Sequence, residues 1–441
     1  MFETFRNAWK TEDLRKRLLY TLLILILFRL GCAIPVPYIT SSALESMFTT
    51  GSMLTYLNMM SGGAMSRCTI FALGVQPYIN ATIIIQLLCV AIPYLENLSK
   101  EGEEGRQKLT KISNYTGAAI ALLLSIAYYF IIRRMGALKY TDGFAGIFSG
   151  IVIVACFTAG AQFVTWMGNQ IDAKGIGNGL SLMIFAGIVA DWSRVGSSFQ
   201  DMLTRAQAGA SGYYIMIPAM VILALVAVIF VVILTNAERR IPVQYSKKMQ
   251  GRRMIGGQST YIPLKVNTAN VIPVIFASSI MSMPVMIAQF FHVDYSTIGG
   301  KILLALSSSN WFKPEAPAYS IGMLVYIVLV VLFAYFYTSI TFNPLEVANN
   351  MKKSGGFIPG IRPGKPTSDY LNNILNYIVF IGACGLVILC IIPIIASGLF
   401  SVGSLSFGGT SLIIIAGVIL ETIKAVESMM LVRNYKGFLN D

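Results

Sequence analysis

Histidine is almost missing from this 441-residue sequence: His292 is the only one. It lies in a polar connection, so no histidine-based metal cluster and no Ser/His or Cys/His catalytic pair assembles around it. Cysteine is sparse. Cys32, Cys68, Cys89, Cys156, Cys384 and Cys390 stand singly, mostly inside apolar runs, with no CxxC pair and no framework spacing; they read as small buried hydrophobes rather than redox or metal ligands. Charge is scarce too, with Asp, Glu, Lys and Arg making up 12% of the chain, against roughly a quarter in soluble domains. A phosphate-cradling loop is also lacking. The glycines of "KGIGNG" (174–179) follow an apolar run rather than a strand, and their spacing is neither GxGxxG nor GxxxxGK(S/T), so they read as a tight turn. These absences exclude a metalloenzyme, a hydrolase with a histidine base and a self-contained ATPase.

What is present is hydrophobicity: 55% of the residues are apolar and mean hydropathy is +0.68. Runs of membrane-spanning length fall at 18–35, 72–92, 114–132, 147–167, 179–192, 213–235, 270–290, 318–340, 371–395 and 411–431. The first follows a basic N-terminus without a small-residue cleavage site, so it is expected to be a span and not a removable signal. Alternating the connections puts 23 of the 33 Lys and Arg on one side and 8 on the other, with Arg29 and Lys424 inside spans. By the positive-inside rule both termini are cytoplasmic and the number of crossings is ten. The expected fold is an all-α polytopic membrane protein. A polar stretch ending near residue 212 divides it into halves, 1–212 and 213–441, with five spans each, and an odd number of crossings per half forces the halves to be inverted.

Three features do not fit plain spans. The segment "SGGAMSRCTIFALGVQPYI" (61–79) begins with an apolar stretch too short to cross and too apolar for a free loop, which predicts a short re-entrant helix at about 59–71. Two cytoplasmic connections, 236–269 and 341–370, are longer than the roughly 12–15 residues of an ordinary loop. The first carries seven basic residues against one acid, Glu238, and its alternating flanks "RIPVQYSK" and "STYIPLKV" predict a protruding hairpin. The second is rich in Gly and Pro. Both are read either as plain positive-inside loops or as docking sites for an anionic or acidic partner, RNA among them. Inside the spans, Arg29 is expected to reach towards the outer face. Glu421, Lys424 and Glu427 share a helical face and are expected to form a structural ion-pair stripe.

The chain resembles the SecY family, the channel subunits of the bacterial protein translocase. The resemblance is carried by "FRLGCAIPVP" (28–37), "SGGAMSRCTIFALGVQPYINATIIIQLL" (61–88), "EGEEGRQKLTKISNYT" (101–116), "KGIGNGLSLMIFAGIVA" (174–190), "QGRRMIGGQSTYIPLKVNTANVIPVIFASSI" (250–280), "NPLEVANNMKKSGGFIPGIRPGKPT" (343–367) and "FGGTSLIII" (407–415). It implies a passive protein-conducting channel of the bacterial plasma membrane, with no catalytic residue, metal or cofactor. The re-entrant segment would be a plug, including Ser61, Gly62, Gly63, Ala64, Met65, Ser66 and Arg67. A hydrophobic pore ring would comprise Val75, Ile79, Leu180, Ile184, Ile275 and Ile414, Val75 being smaller than the isoleucine often found in the family. A narrow ring of this kind excludes water and ions by dewetting.

The resemblance further implies a lateral gate towards lipid, with Asn80, Thr82 and Gln86 on the second span and Ser278, Ser279 and Ser282 on the seventh. Arg240, Lys247, Lys248, Arg252, Arg253 and Arg362 would dock the motor ATPase SecA and the ribosome, whose rRNA the loops would touch. Further implied partners are the small membrane subunits SecE and SecG, signal sequences, nascent polypeptides and membrane lipids. Without the resemblance, a secondary transporter of a small solute fits the span pattern equally well. It would need a converging charged site at mid-membrane, and only the Glu421–Lys424–Glu427 stripe offers one. An intramembrane enzyme lacks a nucleophile and base pair.

Overall fold

A computed structural model describes residues 6, 9–40, 58, 61–190, 196, 200, 202–204, 206–207, 213–245, 248–250, 253–255, 259–288, 297–307, 311, 317–399 and 409–437. In chain order the elements are α1 (Glu12–Gly31), α2 (Gln76–Ala91), α3 (Pro93–Lys100), α4 (Glu103–Arg134), α5 (Gly143–Lys174), α6 (Gly179–Ala190), α7 (Tyr213–Asn236), β1 (Glu238–Tyr245), β2 (Lys248–Gln250), β3 (Arg253–Ile255), β4 (Ser259–Lys265), α8 (Ile272–Ala288), α9 (Ile298–Leu306), α10 (Ile321–Thr341), α11 (Pro344–Lys353), β5 (Gly356–Phe357), α12 (Lys365–Leu399) and α13 (Gly409–Gly437). A helix therefore lies at every one of the ten expected spans. Among the described residues, five helical stretches are long and apolar enough to cross a membrane by length and composition, and the bent pair α2–α3 counts as a sixth if taken as one span. Helices α6 and α8 are short, with 12 and 17 residues, and α1 and α13 carry charged residues within their length.

Local chemistry accounts for the breaks. Helix α2 stops at Ile92, held extended at φ −112° and ψ 113° by the proline that follows, and α3 leaves at 107° to it. At 32 residues α4 reaches about 48 Å, well beyond a hydrocarbon core of roughly 30 Å, so the expected span 114–132 is the C-terminal part of a longer rod. The "KGIGNG" segment is the tight turn expected. Gly177 has φ +83°, Asn178 Oδ1 accepts the Ser181 N–H at 3.1 Å and Asp172 Oδ1 accepts the Gly179 N–H at 2.7 Å, which caps α6.

Packing follows one scheme twice. Among α1, α2, α4, α5 and α6, the first packs on the fourth and fifth, the second on the third, the third on the fourth and the fourth on the fifth; α7, α8, α10, α12 and α13 repeat these five pairings. The two sets meet at α2 against α8 and at α6 against α13. Within the second set, Lys424 Nζ of α13 donates to the Thr235 carbonyl of α7 at 3.1 Å. That carbonyl is in the last turn of α7, where helix acceptors lack partners and the dipole favours a cation, so Lys424 supports the structure by capping a neighbouring helix. The outward faces are apolar: Ile215 of α7 is 77% exposed and Phe144 of α5 is 84% exposed, and surfaces of this kind belong in lipid.

The connection 236–269 is the expected hairpin. Strand β1 pairs antiparallel with β4 from Glu238↔Lys265 to Gln244↔Ser259, and β2 pairs with β3 in the two-stranded ribbon beyond. The second long connection is not a separate loop: β5 adds to the free edge of β1 through Gln244↔Phe357 and Tyr245↔Gly356, giving the order β4-β1-β5. Period-two alternation turns Ile241 and Val243 inward, onto an apolar core shared with Leu264, Met351, Ile358, Leu371 and Ile378. Asn343 starts α11 by accepting the Leu345 and Glu346 N–H groups at 3.1 and 3.4 Å. Ile241→Ala should cost ~2–5 kcal/mol and speed tryptic cleavage at Lys247 and Arg252 while helix content holds. An unchanged cleavage rate would show that the sheet stands without this core.

Candidate functional site

The site is built around residues 61–75. The re-entrant segment is present, but the expected helix is not: among its described residues only Asn58 is helical, and 61–75 is a succession of turns with one bridge, Pro35↔Thr69. Residues 59 and 60 lie outside the described residues. Non-helical backbone buried among helices must still pair its polar groups; turn bonds within the segment, such as the Thr69 N–H to the Ala64 carbonyl at 3.0 Å, supply some of the pairs and neighbouring elements supply others. The Val36 N–H donates to the Cys68 carbonyl at 2.9 Å and the Ile70 N–H to the Ile34 carbonyl at 3.0 Å. Tyr128 Oη of α4 donates to the Met65 carbonyl. Asn58 closes the start: its Oδ1 accepts the Ser66 N–H at 2.8 Å and its carbonyl accepts the Gly63 N–H at 2.8 Å. Gly62, Gly63 and Gly74 take positive φ at these turns.

Close approach to the surrounding helices relies on their glycines. A Cβ on Gly160 of α5 would lie 2.0 Å from the Ile70 carbonyl oxygen, and one on Gly31 of α1 would lie 1.9 Å from the Phe71 ring. Ser61, Gly63, Ala64, Met65 and Ser66 are buried, Gly62 is half-buried and Arg67 is exposed. Arg29 of α1, expected to reach outward, instead donates from Nη1 to the Gly62 carbonyl at 3.3 Å.

The six aliphatic residues expected to form a ring come from four helices and meet in one apolar cluster. Val75 at the start of α2, Ile79 of α2, Ile184 of α6, Ile275 of α8 and Ile414 of α13 are buried members; Leu180 of α6 is half-buried and packs against them. Ala64 and Phe71 of the re-entrant segment belong to the same cluster. Met65, Cys68, Ala72 and Leu73 pack instead on α4 and α5 in a second one, so the segment ties two cores together.

At the α2–α8 seam the expected polar residues divide. Gln76 Nε2 donates across the seam to Ser279 Oγ at 3.2 Å and along α2 to Asn80 Oδ1 at 3.5 Å. Thr82 turns back to the Tyr78 carbonyl at 2.9 Å, Ser282 to Ser279 at 2.8 Å and Ser278 to Ile275 at 2.9 Å. These three hydroxyls bond their own helices. Gln86, further along α2, has its buried Oε1 unpaired, as are Gln76 Oε1 and Asn80 Nδ2. The cross-seam donor, Gln76, was missed by sequence reasoning, although a glutamine one helical turn before Asn80 in an apolar run was the available signal.

Of the basic docking candidates, Lys247 and Arg252 lie outside the described residues, and Lys248 and Arg253 are placed by their backbone on β2 and β3. Arg240 is exposed, paired with Glu238 Oε1 at 2.7 Å and stacked 4.8 Å over the Tyr261 ring. The Glu238 hydrogen bond, with the charges of Tyr261 and Glu238, raises the guanidinium pKa above its ordinary value, so Arg240 is cationic at every physiological pH. Exposed Arg362 projects from a turn between Gly360 at φ +84° and Gly364 at φ +107°, tied by Thr367 Oγ1 to the Arg362 carbonyl at 2.8 Å. The β1–β5 pairing brings both loops to one end of the bundle.

A polytopic helical bundle that folds a non-helical segment against an aliphatic cluster at the junction of two five-helix sets has the architecture of a membrane channel. The fold is that of solved protein-conducting channels. One is a SecY protein whose plug domain is described as stabilising the closed state of the translocation channel and maintaining a membrane seal; it matches with a TM-score of 0.67 at 19% identity, over 94% of this chain and 92% of that one. Another is Sec61 in the canine ribosome–channel complex from the endoplasmic reticulum, with a TM-score of 0.63 at 18% identity over the same shares. The SecY family profile matches residues 69–423, and the protein translocase subunit SecY of Streptomyces scabiei is 43% identical over 451 residues, covering all of both chains. The chain belongs to the SecY family, whose members are translocase channel subunits and not enzymes.

The Gly160 contact yields a direct check on the buried segment. Gly160→Val should push the Ile70 carbonyl away and make Cys68, 1% exposed, alkylate several-fold faster than in the parent. Unaltered Cys68 labelling would mean that the segment does not depend on this approach.

Proposed function

We propose that this chain is the conducting path for unfolded secretory proteins across the bacterial plasma membrane, and that it releases membrane-protein segments sideways into lipid. The observation that carries the reading is the convergence of Val75, Ile79, Leu180, Ile184, Ile275 and Ile414 on one apolar cluster in contact with the re-entrant segment. Aliphatic side chains from separate helices form a dewetted constriction that yields to a passing chain, and residues 61–67 are the stopper seated against it. The chain then divides at about residue 212 into two inverted halves, a reading supported by the repeated packing scheme of their five helices.

Lateral release would part α2 and α4 from α8 and α10. Asn80 and Ser279 belong to the polar contact that must break, Gln76 joins them, and Thr82, Gln86, Ser278 and Ser282 border the path. One interhelical hydrogen bond of this kind contributes about 0.6 kcal/mol, weak enough for a hydrophobic signal sequence to exchange it. The loop end is cytoplasmic in this reading, as are both termini. There Arg240, Lys247, Lys248, Arg252, Arg253 and Arg362 offer a cationic surface to the ribosome and to the motor ATPase SecA, while SecE and SecG pack in the membrane.

Depleting the protein should make unprocessed secretory precursors accumulate; normal export after full depletion would overturn the reading. In planar bilayers, replacing Ile79 and Ile184 together by Asn should raise resting ion conductance several-fold by wetting the constriction, and unchanged conductance would remove these residues from the seal. Arg362→Glu should impair motor-driven export more than membrane insertion, whereas equal loss of both at normal protein level would point to a folding role.

A further inference from the structure

Arg29 stands in the last turn of α1, where a cation complements the helix dipole. Its Nη1 donates to the Gly62 carbonyl at 3.3 Å, and Cys32, three residues on, donates from Sγ to the adjacent Ser61 carbonyl at 3.7 Å. Helix α1 thus holds two consecutive carbonyls of the re-entrant segment from one face. On the other side of Gly62 lies α6: a Cβ on Gly62 would come within 2.7 Å of Arg29 Nη1, 3.1 Å of Gly187 Cα and 3.2 Å of Gly187 O. Gly187 lies on α6. The half-buried Arg29 side chain therefore lies against the first turn of the segment, which on its other side packs on Gly187 of α6.

Keeping a charge at such a depth is costly unless it is paired with polar groups, and carbonyls are suitable partners. The planar guanidinium presents its N–H donors in a fixed fork, one of which reaches the Gly62 carbonyl, whereas a lysine ammonium is a point charge on a flexible stem. We infer that Arg29 is the positioning residue that latches the stopper in its closed seat, acting on the Gly62 carbonyl. The inference rests on reading residues 61–67 as that stopper.

The test uses the complete purified translocase in planar bilayers, with resting conductance as the readout. Deleting residues 61–70 should open a leak, and Arg29→Ala should raise conductance towards that of the deletion, by roughly tenfold for one lost charge-assisted hydrogen bond. Arg29→Lys should fall between. Combining Arg29→Ala with the deletion should leak no more than the deletion alone, because the latch then has nothing to hold. A leaking deletion with a tight Arg29→Ala overturns the latch and leaves the stopper standing, and a tight deletion overturns both. Additive leaks place the effect of Arg29 elsewhere and also overturn the latch. Should Arg29→Ala fail to accumulate, Gly62→Ala asks the same question with the arginine intact, since its methyl has no room between Arg29 and Gly187. A tight Gly62→Ala channel overturns the proposal.

Discussion

Everything at the centre of this molecule depends on satisfying backbone hydrogen bonds where water is scarce. Helices meet that demand internally, but residues 61–75 form no helix. Each orphaned N–H or carbonyl there would cost several kcal/mol in an apolar layer. The remedy comes from elsewhere in the chain: residues 34 and 36 supply strand-like partners, Tyr128 reaches the Met65 carbonyl, and Asn58 caps the first turn. Such individual contacts fix the segment in one place against its neighbours.

The aliphatic cluster and the polar seam work in opposite senses. Burying a Val, Leu or Ile side chain is worth about 1.5–3 kcal/mol in water-based transfer terms, and the cluster draws such residues from four helices, which makes it a firm meeting point. The α2–α8 seam, by contrast, carries the Gln76–Ser279 hydrogen bond between polar side chains, and Gln76 Oε1 and Asn80 Nδ2 beside it are buried with no partner. Polar groups left unsatisfied in a native interior lower the cost of opening there. The firm centre and the weak seam share α2, so motion of that helix is coupled to both.

At the loop end a small sheet does what neither loop could do alone. The 236–269 hairpin has one apolar face, formed by Ile241 and Val243, and a two-stranded hairpin with one such face is marginal in isolation. Addition of β5 and coverage by Met351, Ile358 and the start of α12 complete its core. The basic side chains of both loops are thereby carried on a fixed platform. The Arg362 turn, shaped by glycines at positive φ, projects beside it.

Much of this was legible in the chain before folding. Hydropathy and run length located helices at all ten expected spans, because membrane-scale apolarity is a local property of consecutive residues. Turn chemistry marked the 236–269 hairpin and the tight turn at 174–179 for the same reason. Family resemblance supplied the six aliphatic positions, and the fold gathered them in one cluster. Tertiary structure alone decided that 61–75 is a chain of turns, since several of its hydrogen-bond partners lie on other elements, Tyr128 being 63 positions from Met65. It also decided that Gln76 bridges the seam while Thr82 and Ser282 bond their own helices, that Arg29 turns to Gly62, and that the two long loops share one sheet. Hydropathy and turn preference are properties of neighbours in sequence, whereas a donor's choice of acceptor depends on which distant atoms packing brings within 3 Å or so of it.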